Sequence, residues 1–138
     1  MQTILFDGVE MQMLWWSVVL GLVQLFLAAG LMNRDRGLAY NFSSRDQPSA
    51  PLSPVASRAN RAFHNLLETF PFFAAAVLMV TALNRTTPLS ELGAHIYFWA
   101  RVAYVPVYVA GISYLRSGIW AVSFVGLVMV LLAVWPGI

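Results

Sequence analysis

The sequence contains no cysteine and no lysine. Without cysteine there can be no disulfide, no thiolate metal site and no cysteine nucleophile. Any thiol chemistry must therefore use a thiol carried by a ligand. Charge is scarce as well: 10% of the residues are charged, where an ordinary soluble domain has about a quarter. That excludes a disordered chain, an acidic tail and a conventional water-soluble core. All eight basic residues are arginine, set against six acids, and the net charge of +2 is too small for a nucleic-acid footprint. The two histidines, His64 and His95, fall near opposite membrane faces on the helical reading below and make neither a metal site nor a bis-His haem pair. There is no phosphate loop, no dinucleotide fingerprint and no Ser/His/Asp constellation.

What remains is apolar. Hydrophobic residues make up 59% of the 138, aromatics 14%, and there are five tryptophans. A membrane helix needs roughly 20 apolar residues, so this length holds about four with short loops. The composition suits an all-α integral membrane four-helix bundle with aromatic belts at both interfaces.

Four spans can be traced. The first apolar run covers 13–32, interrupted by Ser17 and Gln24. Residues 33–57 hold Pro48, Pro51 and Pro54 among Ser, Asp and Arg, which predicts the longest loop. Ser53-Pro54 has the residue types of a helix start. The second helix is expected over 54–83, with its membrane part over 58–83 and a kink at Pro71. A third is expected over 92–114 (its span over 94–114), with Pro106 as a second internal breaker, and a fourth over 119–135. Together they read as one transmembrane domain over 1–138. Asp7 and Glu10 stand where a signal peptide would be basic, so no cleaved leader is expected. Arg34, Arg36, Arg45, Arg58, Arg61 and Arg116 fall on one side of this topology, and Arg85 falls with Asp7, Glu10 and Glu91 on the other. The positive-inside bias then puts both termini outside the cytoplasm. Trp15, Trp16 and Trp135 would lie near the outer interface and Trp120 near the inner one.

Ionisable residues inside a span cost about 2.5–3.5 kcal/mol each even on the lenient insertion scale. Glu68 and Arg101 are the two clear cases. Arg58, Arg61, Asn65 and Glu68 share one face of the second helix at i, i+3, i+7, i+10; Arg101, Tyr104 and Tyr108 share one face of the third at i, i+3, i+7. The stripes should face each other or a water-filled cavity. A structural reading makes Glu68 and Arg101 a buried ion pair that fixes register. A functional reading has a carboxylate, an amide, guanidiniums and phenols converging on a small zwitterion, with carboxylates for arginine and an ammonium for Glu68. His64 adjoins this stretch as a polar neighbour.

The run Arg61-Ala62-Phe63-His64-Asn65-Leu66-Leu67-Glu68-Thr69-Phe70-Pro71 resembles the R-A-x-x-N-x-x-E signature of the MAPEG family, the membrane-associated proteins of eicosanoid and glutathione metabolism. The resemblance continues in Ala100-Arg101-Val102-Ala103-Tyr104-Val105-Pro106-Val107-Tyr108 and in Leu115-Arg116-Ser117-Gly118-Ile119-Trp120, and it covers essentially the whole chain. It implies a four-helix subunit, a homotrimer embedded in membrane lipid, and glutathione bound between subunits near the cytoplasmic side. Residue by residue, it puts Arg61, Asn65, Glu68, Tyr104 and Tyr108 at glutathione-binding positions, with His64, Arg101 and Trp120 in the same set. Arg34 resembles a loop arginine contributed by the adjacent subunit, with Arg36 an alternative register. Arg116, with Ser117 beside it, resembles the arginine that stabilises the glutathione thiolate. His64 and Thr69 depart from residues found in some members, and the spacing from Tyr108 to Arg116 differs by one from the mammalian pattern. The implied activity is glutathione-dependent conjugation or peroxide reduction on a lipophilic electrophile. A prokaryotic member would sit in the bacterial inner membrane. Two other classes stay open on the residues. A small proton-coupled transporter would be expected to carry its carboxylate in the first span, which here offers Gln24. A non-catalytic lipid- or thiol-binding subunit would keep the pocket without forming a thiolate.

Overall fold

The computed structural model describes residues 8–137, and Asp7 lies outside them. Among the described residues the chain is all helical: α1 Val9–Arg36, α2 Leu38–Phe42, α3 Pro54–Ala82, α4 Pro88–Ala110 and α5 Ser113–Val134. Three of these, α1, α3 and α5, are long and apolar enough to cross a membrane. The fourth long helix, α4, has 23 residues, about 35 Å at 1.5 Å per residue, but carries Glu91, His95 and Arg101. Many large apolar side chains stay exposed, among them Phe26 at 72% and Phe72 at 67%. Such a surface is unsuited to water and suited to acyl chains.

Caps explain where the helices begin and end. Ser53 accepts a hydrogen bond from the Ala56 backbone N–H at 3.3 Å and Pro54 fills the first helical position, which starts α3. Thr87 and Ser90 form a reciprocal capping box ahead of α4, again with proline in the first turn. That box starts the helix at Pro88, earlier than the apolar pattern indicates. Gly111, at φ +82°, ends α4 in the left-handed region, and α5 begins two residues later. Arg116, Ser117 and Gly118 are therefore helical and not loop residues. Helix α2 is a short piece inside the stretch read as a loop. Pro71 and Pro106 both sit inside helices that continue past them, so Pro106 does not break α4.

The four long helices pack on one another, with α4 against α5 and α3 against α1 as extensive contacts. Phe73, Ala76, Val77 and Val80 of α3 meet Ala94, Tyr97 and Phe98 of α4, Leu127 and Val130 of α5, and Met13 and Leu14 of α1. Phe73 stacks on Tyr97 with centroids 3.9 Å apart. In lipid such contacts act through close packing, because the surrounding solvent is equally apolar.

Polar clasps fix both ends. At one end, Glu10, 1% exposed, accepts the hydroxyl hydrogen bond of Ser90, tying α1 to α4. Arg85 there donates to the Val134 and Trp135 carbonyls at 3.4 and 3.1 Å, closing the end of α5. At the other end, Asp35 accepts from the Ser53 N–H at 2.8 Å and Arg36 donates to the Ala50 carbonyl at 3.0 Å. Arg58 donates to the Val109 carbonyl at 2.8 Å, at the C-terminus of α4. A lysine- or arginine-type cation is favourable against those orphan carbonyls and the negative helix end. A Cβ on Gly111 would sit 3.3 Å from the Arg58 guanidinium. Gly111→Ala is thus expected to cost about 1–2 kcal/mol from backbone conformation alone, read as a lower midpoint of thermal unfolding in detergent.

Candidate functional site

The polar stripes of α3 and α4 converge beside the first turns of α5. Together they line a cavity of about 380 Å³ formed by Arg61, His64, Asn65, Glu68, Tyr104, Tyr108, Arg116, Ser117 and Trp120. Its size lies within the usual range of small-molecule sites, roughly 300–1,000 Å³. Two always-charged guanidiniums face one carboxylate across phenol, amide and hydroxyl groups.

The wall is ordered from behind. Arg101 is 1% exposed. It donates Nη1 to Asn65 Oδ1 at 2.7 Å and Nη2 to Thr69 Oγ1 at 2.6 Å. The Asn65 amide, with its oxygen turned to Arg101, presents Nδ2 to Glu68 Oε2 at 3.2 Å. Thr69 also meets the Tyr97 hydroxyl at 3.0 Å. The direct Glu68–Arg101 ion pair expected as the structural reading does not form: Asn65 stands between them. Arg101 is held instead by two neutral acceptors and by the rings of Tyr97 and Tyr104, whose centroids lie 5.6 and 5.3 Å from its guanidinium carbon. Its Nε has no hydrogen-bond partner among the described residues.

On the open side Arg61 donates Nη1 to Ser57 Oγ at 2.7 Å and Nε to the Tyr108 hydroxyl at 3.3 Å. Arg116 lies over the Tyr108 ring, 4.8 Å from its centroid. Ser117, exposed, donates to the Ser113 carbonyl at 3.2 Å, one turn back in α5. Trp120 stacks on Phe124 with centroids 5.5 Å apart. Beyond it, Phe72, Ala75 and Met79 of α3 and Phe124, Leu127 and Val128 of α5 line an apolar groove of about 500 Å³. Glu68 and Trp120 border both the polar cavity and the groove, so the two adjoin at these side chains.

Nine of the expected site residues therefore line one cavity. Arg101 stands behind the wall as its anchor. Arg34 lies outside, exposed in the last turn of α1, and so does Arg36, engaged with Ala50. Arg58, on the same stripe as Arg61, turns to the end of α4 and does not enter. Three residues that organise the site are not among those expected from the sequence: Ser57, Thr69 and Tyr97. Ser57 precedes Arg61 by four, and Tyr97 precedes Arg101 by four, so the helical period carries both stripes one turn further. Among the described residues no His/Cys/Asp/Glu group could hold a metal ion.

All-helical among the described residues, with three helices long and apolar enough to cross a membrane and a mixed-charge cavity beside an apolar groove, the chain has the character of an integral membrane protein. Residues 13–135 match the model of the MAPEG family, and the chain belongs to that family. Neither the curated proteins nor the solved structures contain a match to it.

Proposed function

We propose that this protein is a membrane-bound glutathione-dependent transferase or peroxidase acting on lipophilic electrophiles. The observation that carries the reading is a cationic and carboxylate-bearing cavity set beside an apolar groove, with Glu68 and Trp120 bordering both. Glutathione has two carboxylates, one ammonium and a thiol. Arg61 suits a carboxylate, since its Nη2 is left over after Ser57 and Tyr108 have taken two donors. Glu68 suits the ammonium, with one oxygen already ordered by Asn65. His64, Asn65, Tyr104, Tyr108 and Trp120 complete the contact set.

Arg116 stabilises the thiolate in this reading, with Ser117 beside it. A free thiol titrates near 8.5, and an adjacent permanent cation favours the ionised nucleophile. The sulfur lone pair forms a bond to the electrophilic carbon while the leaving group departs with the bonding pair. On a peroxide the thiolate attacks one oxygen, the O–O bond breaks and the departing alkoxide takes up a proton to give the alcohol; a second glutathione then reduces the sulfenic acid, giving glutathione disulfide and water. The apolar body of the co-substrate lies along the α3–α5 groove and enters from lipid.

The same reading has one transmembrane domain of four spans, with α4 as the fourth, assembling as a homotrimer. In the assembly Arg34 of a neighbouring subunit reaches the open side of the cavity. The six arginines toward the cavity end favour a cytoplasmic position for that end, with the termini outside, in a bacterial inner membrane.

Calorimetry in detergent tests the proposal. Glutathione should bind to the wild type. Glu68→Gln and Arg61→Ala should each weaken it about tenfold or more, as expected for lost charge-assisted hydrogen bonds worth about 1.5–3 kcal/mol. No heat from the wild type, or wild-type affinity retained in both variants, removes the reading.

A further inference from the structure

The Arg116 guanidinium has no side-chain hydrogen bond to another described residue, and what the structure gives it is the face of Tyr108 at 4.8 Å. An arginine without such a bond samples many rotamers, and a guanidinium parked on a ring samples few. The ring is itself fixed. Its edge meets Tyr104 at 5.4 Å and 63°, and Tyr104 is 4% exposed and packed beside Arg101. The Tyr108 hydroxyl points to a different partner, accepting from Arg61 Nε at 3.3 Å. One side chain thus touches both cations of the cavity, through two different parts of its structure. The spacing of Tyr108 and Arg116 across the α4–α5 turn fits this arrangement. Gly111 turns the chain out of α4, and Arg116 comes back over Tyr108 from the first turns of α5.

We propose that Tyr108 is a positioning residue with two separable jobs, its ring face seating Arg116 at the sulfur and its hydroxyl orienting Arg61 toward a carboxylate. The proposal rests on the glutathione reading above. Seated on the ring, Arg116 keeps all five of its N–H donors for the ligand. Removing the face should therefore change the ionisation of the bound thiol. Removing only the hydroxyl should change affinity and leave that ionisation in place.

The test titrates thiolate absorbance of glutathione bound to purified protein, alongside calorimetric affinity, for the wild type, Tyr108→Phe and Tyr108→Leu. Tyr108→Phe should keep the bound-thiol pKa of the wild type and bind glutathione several-fold more weakly. Tyr108→Leu should raise that pKa by about one unit toward the free value near 8.5, with weaker binding as well. A rise in Tyr108→Phe overturns the proposal, because the hydroxyl would then be acting at the sulfur. An unchanged pKa in Tyr108→Leu overturns it too, because the ring would then do nothing for Arg116. Tyr108→Phe retains the packing surface, so the proposal can still be overturned by that variant even where the leucine variant does not fold. A wild type that binds glutathione without ionising it, or does not bind it, removes the thiolate reading and this inference with it. Failure confined to the variants removes the inference alone.

Discussion

Gly126→Ala is expected to lower the thermal midpoint by about 10 °C in detergent. A Cβ there would fall 2.6 Å from both the Gly93 carbonyl oxygen and the Tyr97 backbone nitrogen. The Gly93 position is its mirror, 2.6 Å from the Gly126 oxygen and 2.7 Å from the Met129 Cβ. Backbone atoms of a helix cannot swing aside, so α4 and α5 would have to separate. Overpacking costs about 1–3 kcal/mol and sometimes more. The upper end applies where helices are held by close approach of small residues and no water drives them together. At roughly 4 °C per kcal/mol for a chain of this size, that gives the stated shift. Gly118→Ala is the control. It too lies in α5, but its Cβ would meet nothing within 4 Å, so its midpoint should stay level or rise, as alanine is the better helix former. Equal midpoints for Gly126→Ala and the wild type would mean that the α4–α5 crossing is looser than the contacts indicate. A shift at this crossing would also move the Tyr97 backbone, and with it the Thr69 and Arg101 contacts that order the cavity wall.

Arg116→Ala is expected to reduce glutathione-dependent turnover about 30-fold at pH 7. The figure follows from acid–base equilibrium. A thiol left at its free pKa near 8.5 is about 3% ionised at neutral pH, whereas one well below 7 is mostly ionised. The sign with pH is equally defined. The variant should regain rate as pH rises through 8.5, while the wild type has already reached its plateau. Glutathione affinity should change far less than rate, since the carboxylate and ammonium contacts are made by other side chains. A rate-versus-pH series on a generic aryl halide measures this directly, and parallel profiles for variant and wild type would exclude Arg116 from thiolate stabilisation.

Much of this architecture was legible in the sequence because lipid narrows the options. Scarce charge and long apolar runs leave helices as the economical solution for the backbone, and a charge inside such a helix must turn inward. Period 3.6 then put Arg61, Asn65 and Glu68 on one face and Arg101, Tyr104 and Tyr108 on another, and those faces do meet. What the pattern could not give was the choice among competing partners. Arg58 and Arg61 are indistinguishable by spacing, yet one closes the end of α4 and the other enters the cavity. Glu68 and Arg101 looked like partners by charge, but in the folded geometry Asn65 and Thr69 take one hydrogen bond from each Nη of the guanidinium, with no carboxylate involved. Glu10 and Ser90 lie 80 positions apart, so no local signal joins them. The boundaries of α4 and α5 were displaced because caps at Thr87 and Gly111, and not hydropathy, decide them.

The hydrogen bond from Arg101 to Asn65 reaches beyond the protein's interior. It dictates which end of that amide looks up, so a donor rather than an acceptor greets the Glu68 carboxylate. If the cavity binds glutathione as proposed, its wall is set in sign and direction beforehand, and the entropy of arranging it is lost once, during folding, and not again on each binding event.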